Sequence, residues 1–254
     1  MARRSLNHLS EPFCCHVTQR CQERRFLFRW QRDRRQYLQR LREMTTRYPV
    51  SVLNYVVTSN HVHLLLWSEE VSSIASGMQF LSGAAAQDYN RRLEREGAFW
   101  SGRYRPTLIE PGFHLSHCFF YIEMNMVRAG VVSSPGEWVG GAYDELSGRR
   151  KRYRIIDQPR LLDCLECPTT EQFRTWYSNT VDCEAYNMPV KEREPYWTEA
   201  SAVGSREWIG KLGEKMPRNS YTIDSVSQAV SESPGTYILR TSKRRRESLL
   251  TTLT

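Results

Sequence analysis

The order of periodic segments in the first half of the chain limits the folds that it can adopt. In chain order these segments are an extended one at 13–18, a helical one at 29–47, extended ones at 50–58 and 61–67, a helical one at 71–96 and an extended one at 104–109. The order strand, helix, strand, strand, helix, strand is typical of ferredoxin-like and RRM-like domains. It predicts an α+β fold whose antiparallel sheet carries helices on one face and leaves the other face open for a site.

Two histidines stand in the second strand of the predicted hairpin, His61 and His63, within the run NHVHLLLW. Residues two apart on a strand point to the same face of the sheet, so the two imidazoles lie side by side. A third ligand would turn such a pair into a metal site. The same pattern also arises in strands by chance, and taken alone it leaves both interpretations open.

A further helix is predicted after the last of these strands, over residues 115–128. Tyr121 and Asn125 are four residues apart and share one helical face, next to Arg128. A helical tyrosine is more often a half-buried core residue than a nucleophile. Here, however, it stands beside an amide, and amide oxygens bind hard cations.

Basic charge is concentrated in arginine: the chain carries a net charge of +8, and all 20 basic residues that precede Lys151 are arginines. The guanidinium fork pairs with phosphate oxygens and its plane stacks on bases, so this composition favours a nucleic-acid partner over a merely solvated helix face. One short region holds nine of them: Arg24, Arg25, Arg29, Arg32, Arg34, Arg35, Arg40, Arg42 and Arg47.

Three segments together resemble the REP-associated tyrosine transposases, relatives of insertion-sequence transposases that have a single catalytic tyrosine and a His-hydrophobic-His motif. They are residues 58–64 (TSNHVHL), 99–104 (FWSGRY) and 121–130 (YIEMNMVRAG). The resemblance covers about residues 13–145. It does not extend to the rest of the chain.

The resemblance implies a role for each part of the motif. Tyr121 would be the nucleophile, and His61, His63 and Asn125 would hold Mg²⁺ or Mn²⁺; the insertion-sequence relatives have Gln at the position of Asn125. The DNA contacts are expected from Arg24, Arg25, Arg103, Tyr104 and Arg128, with bases stacking on Trp100, Tyr104 or other exposed aromatics.

The activity implied is cleavage and rejoining of single-stranded, hairpin-forming DNA of palindromic repeats through a 5′-phosphotyrosine intermediate. A phenol has an ordinary pKa near 10 and attacks weakly at neutral pH, so a divalent metal is expected to activate the phosphate.

Two other functions remain open at this point. The first is a non-catalytic nucleic-acid binding module of RRM-like fold, and the second is a zinc hydrolase that uses His61 and His63. The second lacks an obvious third histidine or carboxylate at ligand spacing. Both a monomer and a dimer are compatible with the sequence.

The composition changes near residue 148, which predicts a catalytic domain over 1–147 and an extension over 148–254. The extension is expected to be largely helical, with helices at 169–180 and 198–212, and to end in a mobile basic tail over 231–254 that contains KRRR at 243–246. A lone C-x-x-C motif at 164–167 is weak support for a metal or redox site. Neither a membrane span nor an apolar signal core is present, which favours a cytoplasmic protein.

Overall fold

The computed structural model describes residues 11–187, 194–215, 221–227 and 235–241. The elements of these ranges, in chain order, are β1 (Phe13–Arg20), α1 (Gln31–Arg47), β2 (Ser51–Val57), β3 (His61–Ser68), α2 (Val71–Arg92), β4 (Arg105–Ile109), α3 (Phe113–Glu123), α4 (Asn125–Arg128), α5 (Tyr143–Leu146), α6 (Gln158–Cys164), α7 (Thr170–Asn187), α8 (Tyr196–Glu199), β5 (Ala202–Gly204), α9 (Arg206–Glu214), β6 (Tyr221–Ser227) and β7 (Thr236–Thr241).

The first four strands form an antiparallel sheet in the order β2-β3-β1-β4. Strand β1 lies in the middle and pairs Thr18 with His63 on β3 and with Arg105 on β4. This is the order of a ferredoxin-like domain. The predicted α+β class is therefore confirmed.

Helices cover both faces of this sheet. On one face, α1 packs against α2, and Ser82 of α2 donates a hydrogen bond to Gln19 of β1 at 2.8 Å. On the opposite face, where His63 lies, Asn54 of β2 donates to the backbone oxygen of Phe119 in α3 at 3.1 Å. The face that was expected to be open is therefore covered. The reason is that residues 62–66 of β3 are apolar or buried on both sides, so each face needs a packing partner.

The extension contributes strands as well as helices. β5 pairs in parallel with β4, and β7 and β6 continue the sheet beyond it. The expectation of a single helix at 198–212 is wrong, because the exposed edge of β4 captures the middle of that segment: Leu108 donates to Ser201 and Glu110 donates to Val203. Helix α9 then begins after Ser205, whose hydroxyl caps it.

Strand β7 lies in the segment 231–254 that was expected to be a mobile tail, and this part of the expectation is wrong. Its residues pair with β5 and β6, and Ile238 and Leu239 are buried. The basic cluster at 243–246 lies outside the described residues.

Helix α7 of the extension packs on α3. The rings of Trp176 and Tyr177 contact those of Phe119 and Phe120, with centroids 4.9 to 6.3 Å apart. The boundary between residues 147 and 148 stays a prediction, and the sheet runs across it without interruption. None of the helices in the described ranges is both long enough and apolar enough to cross a bilayer.

Candidate active site

One cavity of about 360 Å³ brings together the four residues that were expected, from the sequence, to act as metal ligands and nucleophile. Two come from β3 and two from the end of α3 and the start of α4, about 60 residues later in the chain. The cavity is lined by Arg20, Arg24, Asn60, His61, His63, Tyr121, Asn125, Arg128, Ala129 and Thr198.

The two histidines of β3 project from the same face of the sheet, as strand periodicity requires, and their ring centroids are 4.8 Å apart. Helix α3 crosses that face and places the ring of Tyr121 6.0 Å from the ring of His63. The side-chain amide nitrogen of Asn125 lies 3.3 Å from Nε2 of His63. The imidazoles, the phenol and the amide therefore meet at one point.

The helix expected over 115–128 is interrupted at Met124, between α3 and α4. Arg128 compensates for the interruption: its Nη2 donates to the backbone oxygen of Tyr121 at 3.3 Å, and its guanidinium carbon lies 4.1 Å from the centre of the Tyr121 ring. Tyr121 and Asn125 still line the same cavity. A positive charge is thus held directly against the phenol.

Hydrogen bonds fix the tautomer of His61. The side-chain nitrogen of Asn60 donates to the backbone oxygen of Arg24 at 3.1 Å, which turns Oδ1 of Asn60 towards His61. Nδ1 of His61 lies 2.7 Å from that oxygen, which can only accept. Nδ1 therefore carries the proton, and Nε2 is the nitrogen with the lone pair.

His63 is deeply buried, with 3% of its surface exposed, and its Nδ1 lies 2.8 Å from Nε2 of His16 on β1. Burial lowers the pKa of His63 well below its ordinary value, and the neighbouring positive charges, that of His61 first, lower it further. Burial also lowers the pKa of His16 to about 4. Both rings are neutral near pH 7, and the neutral imidazole is the form that binds metals.

The donor set of the cavity, two imidazoles and one amide, could hold a divalent cation. Within the described ranges, no three His, Cys, Asp or Glu side chains gather as a metal-binding group, so the zinc hydrolase lacks its third ligand there. If Mn²⁺ or Mg²⁺ were held by two imidazole nitrogens and the amide oxygen of Asn125, water would complete its coordination shell. A rotation of the Asn125 amide presents its oxygen where its nitrogen now lies.

The residues predicted to contact DNA do not all occupy the cavity. Arg24 and Arg128 line it, whereas Arg25 is exposed in the loop beside it. Arg103 and Tyr104 lie outside the lining, just before β4. They nevertheless lie at the same end of the sheet as the cavity, because the backbone amide of the neighbouring Ser101 donates to the backbone oxygen of Arg20, which lines the cavity.

The proposed stacking role of Trp100 is not supported by its position. Its indole nitrogen donates to the backbone oxygen of Ser82 at 2.9 Å, and its ring packs against Phe28 and Phe99. Two exposed aromatics lie instead in the loop before α1: Phe26 is 66% exposed and Trp30 is 64% exposed. Sequence periodicity does not reveal this, since it does not show which aromatic side chains find packing partners.

The arginine-rich region is also divided by the fold. Arg34 is buried and donates to the backbone oxygens of Phe28, Arg29 and Val139, so it holds the loop rather than a ligand. Arg40 pairs with Asp88 of α2. Arg24, Arg25 and Arg29 in the loop, and Arg32 and Arg35 in the first turns of α1, remain exposed.

Glu123 is a buried carboxylate between α3 and α7, left without an assigned role by the sequence. It accepts a hydrogen bond from the hydroxyl of Tyr177 at 2.7 Å and one from the amide of Asn54 at 3.3 Å. Burial raises the pKa of Glu123 from 4.5 to about 7, and these two hydrogen bonds offset only part of the effect. The carboxyl thus links the helix of Tyr121 to the extension.

This raised pKa predicts a pH dependence of stability. Between pH 4.5 and 7 the folded protein retains a proton on Glu123 that the unfolded chain loses. The contribution of this proton to the free energy of unfolding is therefore present at low pH and is lost as the pH rises through that window. Between pH 5 and 8, we expect wild type to lose on the order of 2–3 kcal/mol of unfolding free energy relative to Glu123→Gln. Urea unfolding at both pH values measures this. Parallel pH profiles for the two proteins would contradict it.

Comparison with known families gives one decisive match. Residues 11–125 match the family model described as "Transposase IS200 like". This segment is an IS200-like transposase domain. The resemblance found in the sequence is thereby confirmed for this segment, at the level of the transposase family. Among curated proteins, none matches the chain.

The chain is also similar to a solved structure of a REP-associated tyrosine transposase bound to a REP hairpin. The sequence identity is 18% and the TM-score is 0.46, over 56% of this chain and 83% of that one. The likeness is too distant to transfer residue roles.

Proposed function

We propose that this chain is a divalent-metal-dependent endonuclease and strand transferase of single-stranded, hairpin-forming DNA, with Tyr121 as its nucleophile. The observation that supports it most is the convergence of His61, His63, Tyr121 and Asn125 on one cavity of an IS200-like transposase domain. A binding module would have no need to gather a phenol, two imidazoles and an amide at one point. Its substrate class, from the sequence resemblance, is DNA of palindromic repeats such as REP elements.

The cavity is suited to a phosphate. Arg20, Arg24 and Arg128 line it, and guanidinium groups bind phosphate oxygens in pairs. Tyr121 is only 5% exposed, so the scissile phosphate has to enter the cavity to reach the phenol. A flexible single strand or the foot of a hairpin can do this, whereas a continuous duplex is too wide and stiff.

The chemical step is a transesterification. The Tyr121 oxygen attacks phosphorus and forms the phosphotyrosine bond while the bond to the 3′ oxygen breaks; the phenol releases one proton and the departing oxygen takes one up. The products are a 5′-phosphotyrosine and a free 3′-hydroxyl. A 3′-hydroxyl that attacks the phosphotyrosine reverses the step and joins strands, so no external energy source is required.

His61, His63 and Asn125 would hold the cation, which on binding polarises the scissile phosphate and neutralises charge in the transition state. Both histidines favour this role because their Nδ1 atoms are engaged by hydrogen bonds to Asn60 and His16. Arg128, fixed against the Tyr121 ring, adds a permanent positive charge beside the attacked phosphate.

An end-labelling experiment tests the function. The purified protein is incubated with Mn²⁺ and a hairpin oligonucleotide that carries single-stranded flanks, labelled at either the 5′ or the 3′ end. We expect a covalent adduct that survives SDS and retains the 3′ label only, because the tyrosine keeps the 5′ phosphate of the downstream strand. Tight, chelator-insensitive binding without an adduct would favour the non-catalytic binding module instead.

The exposed aromatics of the loop before α1 predict where the single-stranded flank lies. Phe26 and Trp30 stand among Arg24, Arg25 and Arg29, and this loop contacts the turn that precedes His61. Each base stacked on an aromatic ring contributes about 1–3 kcal/mol. If each ring stacks one base, the double variant Phe26→Ala/Trp30→Ala should weaken binding of a flanked hairpin by at least about 30-fold in fluorescence anisotropy.

Two controls sharpen this prediction. A hairpin without flanks should bind the double variant and wild type equally. Tyr153→Ala removes another exposed aromatic, 74% exposed and in contact with Arg42 in the second half of α1, and should leave binding of the flanked hairpin unchanged. Equal losses in Tyr153→Ala and the double variant would refute a specific stacking site.

A further inference from the structure

His16 is a buried histidine on β1 that takes no direct part in the proposed chemical step. Both of its ring nitrogens have partners: Nδ1 lies 2.8 Å from the backbone oxygen of Trp197, and Nε2 lies 2.8 Å from Nδ1 of His63. The rings of His16 and His63 are stacked, with centroids 5.0 Å apart. His16 therefore connects one proposed metal ligand to the C-terminal extension.

The chemistry of the two bonds fixes the protons. A carbonyl oxygen only accepts, so Nδ1 of His16 carries the proton in its bond to Trp197. In the neutral ring Nε2 then has a lone pair and accepts from Nδ1 of His63. The remaining nitrogen of His63, Nε2, is left deprotonated, and this is the atom that lies 3.3 Å from Asn125.

The Trp197 carbonyl is available for this bond because of its place in α8. The last carbonyls of a helix have no partner within the helix, and the amide four residues after Trp197, that of Ser201, donates to Leu239 instead. The Trp197 ring also contacts the ring of Tyr121, with centroids 6.1 Å apart, and the next residue, Thr198, lines the cavity. The extension thus reaches the site through one short helix.

We propose that His16 and the Trp197 carbonyl form a positioning relay that holds His63 in the tautomer whose Nε2 can bind a divalent cation. The extension is then a working part of the active site and not an appended module. This inference rests on the proposed function, since it assumes that His63 is a metal ligand. The same arrangement recurs at His61, where the Arg24 carbonyl orients Asn60, and Asn60 accepts from Nδ1.

The tautomer can be measured directly in the wild-type protein. The full-length chain has six histidines, and labelling their ring nitrogens with ¹⁵N allows long-range ¹H–¹⁵N spectra to distinguish the two tautomers of each. We expect the metal-free protein to show His63 protonated at Nδ1 and deprotonated at Nε2. A proton on Nε2 of His63 would overturn the relay without any variant being made.

Variants then separate the relay from simple packing. His16→Leu fills the space but cannot accept from His63, and we expect it to weaken Mn²⁺ binding by about 10- to 100-fold and to redistribute the His63 tautomers. His16→Gln keeps an acceptor and a donor on one side chain, and it should restore Mn²⁺ affinity to within a few-fold of wild type. The loss of the free Mn²⁺ electron paramagnetic resonance signal on titration measures both.

His114→Leu is the matched control, because His114 is an equally buried histidine whose Nδ1 pairs with Glu110, away from the cavity. It should bind Mn²⁺ as wild type does. Wild-type affinity in His16→Leu would overturn the relay, as would a failure of His16→Gln to recover affinity while folding normally by circular dichroism.

The relay and the proposed function fail in distinguishable ways. If wild type binds Mn²⁺ and shows the expected tautomer but forms no DNA adduct, the nuclease function fails and the relay stands. If wild type forms the adduct while His16→Leu keeps its Mn²⁺ affinity, the function stands and the relay fails.

Discussion

Tyr121→Phe is expected to abolish the covalent DNA adduct while the protein still binds hairpin DNA. The substitution removes only the attacking oxygen, and the ring keeps its contacts with His63, Trp197 and Arg128. Loss of a nucleophile typically lowers the rate by at least about 10⁴-fold, and the adduct should fall below detection. SDS gels of the end-labelled hairpin measure the adduct, and anisotropy measures binding.

Tyr196→Phe is the appropriate control for this variant. Tyr196 packs against Trp197 beside the site, but its hydroxyl donates to Glu194 and takes no part in the cavity. It should form the adduct at the wild-type rate. An undiminished adduct in Tyr121→Phe, or a DNA-linked peptide in mass spectrometry that lacks residue 121, would assign the nucleophile elsewhere.

His63→Ala is expected to remove metal-dependent cleavage almost as completely. If the cation supplies several kcal/mol of charge stabilisation, its loss corresponds to a rate lower by at least about 10³-fold. The variant should also fail to bind Mn²⁺ at concentrations that saturate wild type. In wild type, a chelator should abolish the adduct, and Mn²⁺ or Mg²⁺ should restore it.

The control for His63→Ala is His117→Ala, which removes an exposed histidine from α3. His117 bonds only to the backbone oxygen of Phe113 in its own helix, among the contacts described, and its loss should leave cleavage unchanged. Wild-type, metal-stimulated cleavage by His63→Ala would exclude His63 as a ligand.

Asn125 allows a finer test of the same site. If its amide oxygen binds the cation, Asn125→Ala should weaken Mn²⁺ binding, whereas Asn125→Gln retains the oxygen on a longer arm and should keep most of the affinity. Equal losses in the two variants would indicate that the amide has only a packing role.

Local periodicity made much of the site predictable. Alternation along β3 places His61 and His63 on one face, and a spacing of four places Tyr121 and Asn125 on one side of a helix. The short range of these patterns is also why β1, β2, β3 and β4 were found within a few residues of their observed bounds. The interruption at Met124 was missed, because the apolar spacing continues through it.

Other features depend on packing or pairing partners that are distant in the sequence and cannot be predicted from local patterns. Trp100 looked suited to stacking, yet it fills a cluster with Phe28 and Phe99. The segment at 198–212 has helical spacing, yet the edge of β4 pairs with its middle. In both cases packing or hydrogen bonding with a distant segment outweighed the local preference.

The sequence by itself determined the antiparallel core, the histidine pair and the tyrosine helix, because each follows from side-chain spacing within one or two elements. Only the tertiary structure decided that the sheet is covered on both faces and that the extension adds strands to it. It also decided that His16 joins Trp197, 181 residues away, to His63. That contact has no local signature, since it depends on how the whole sheet brings β1 against the short helix α8.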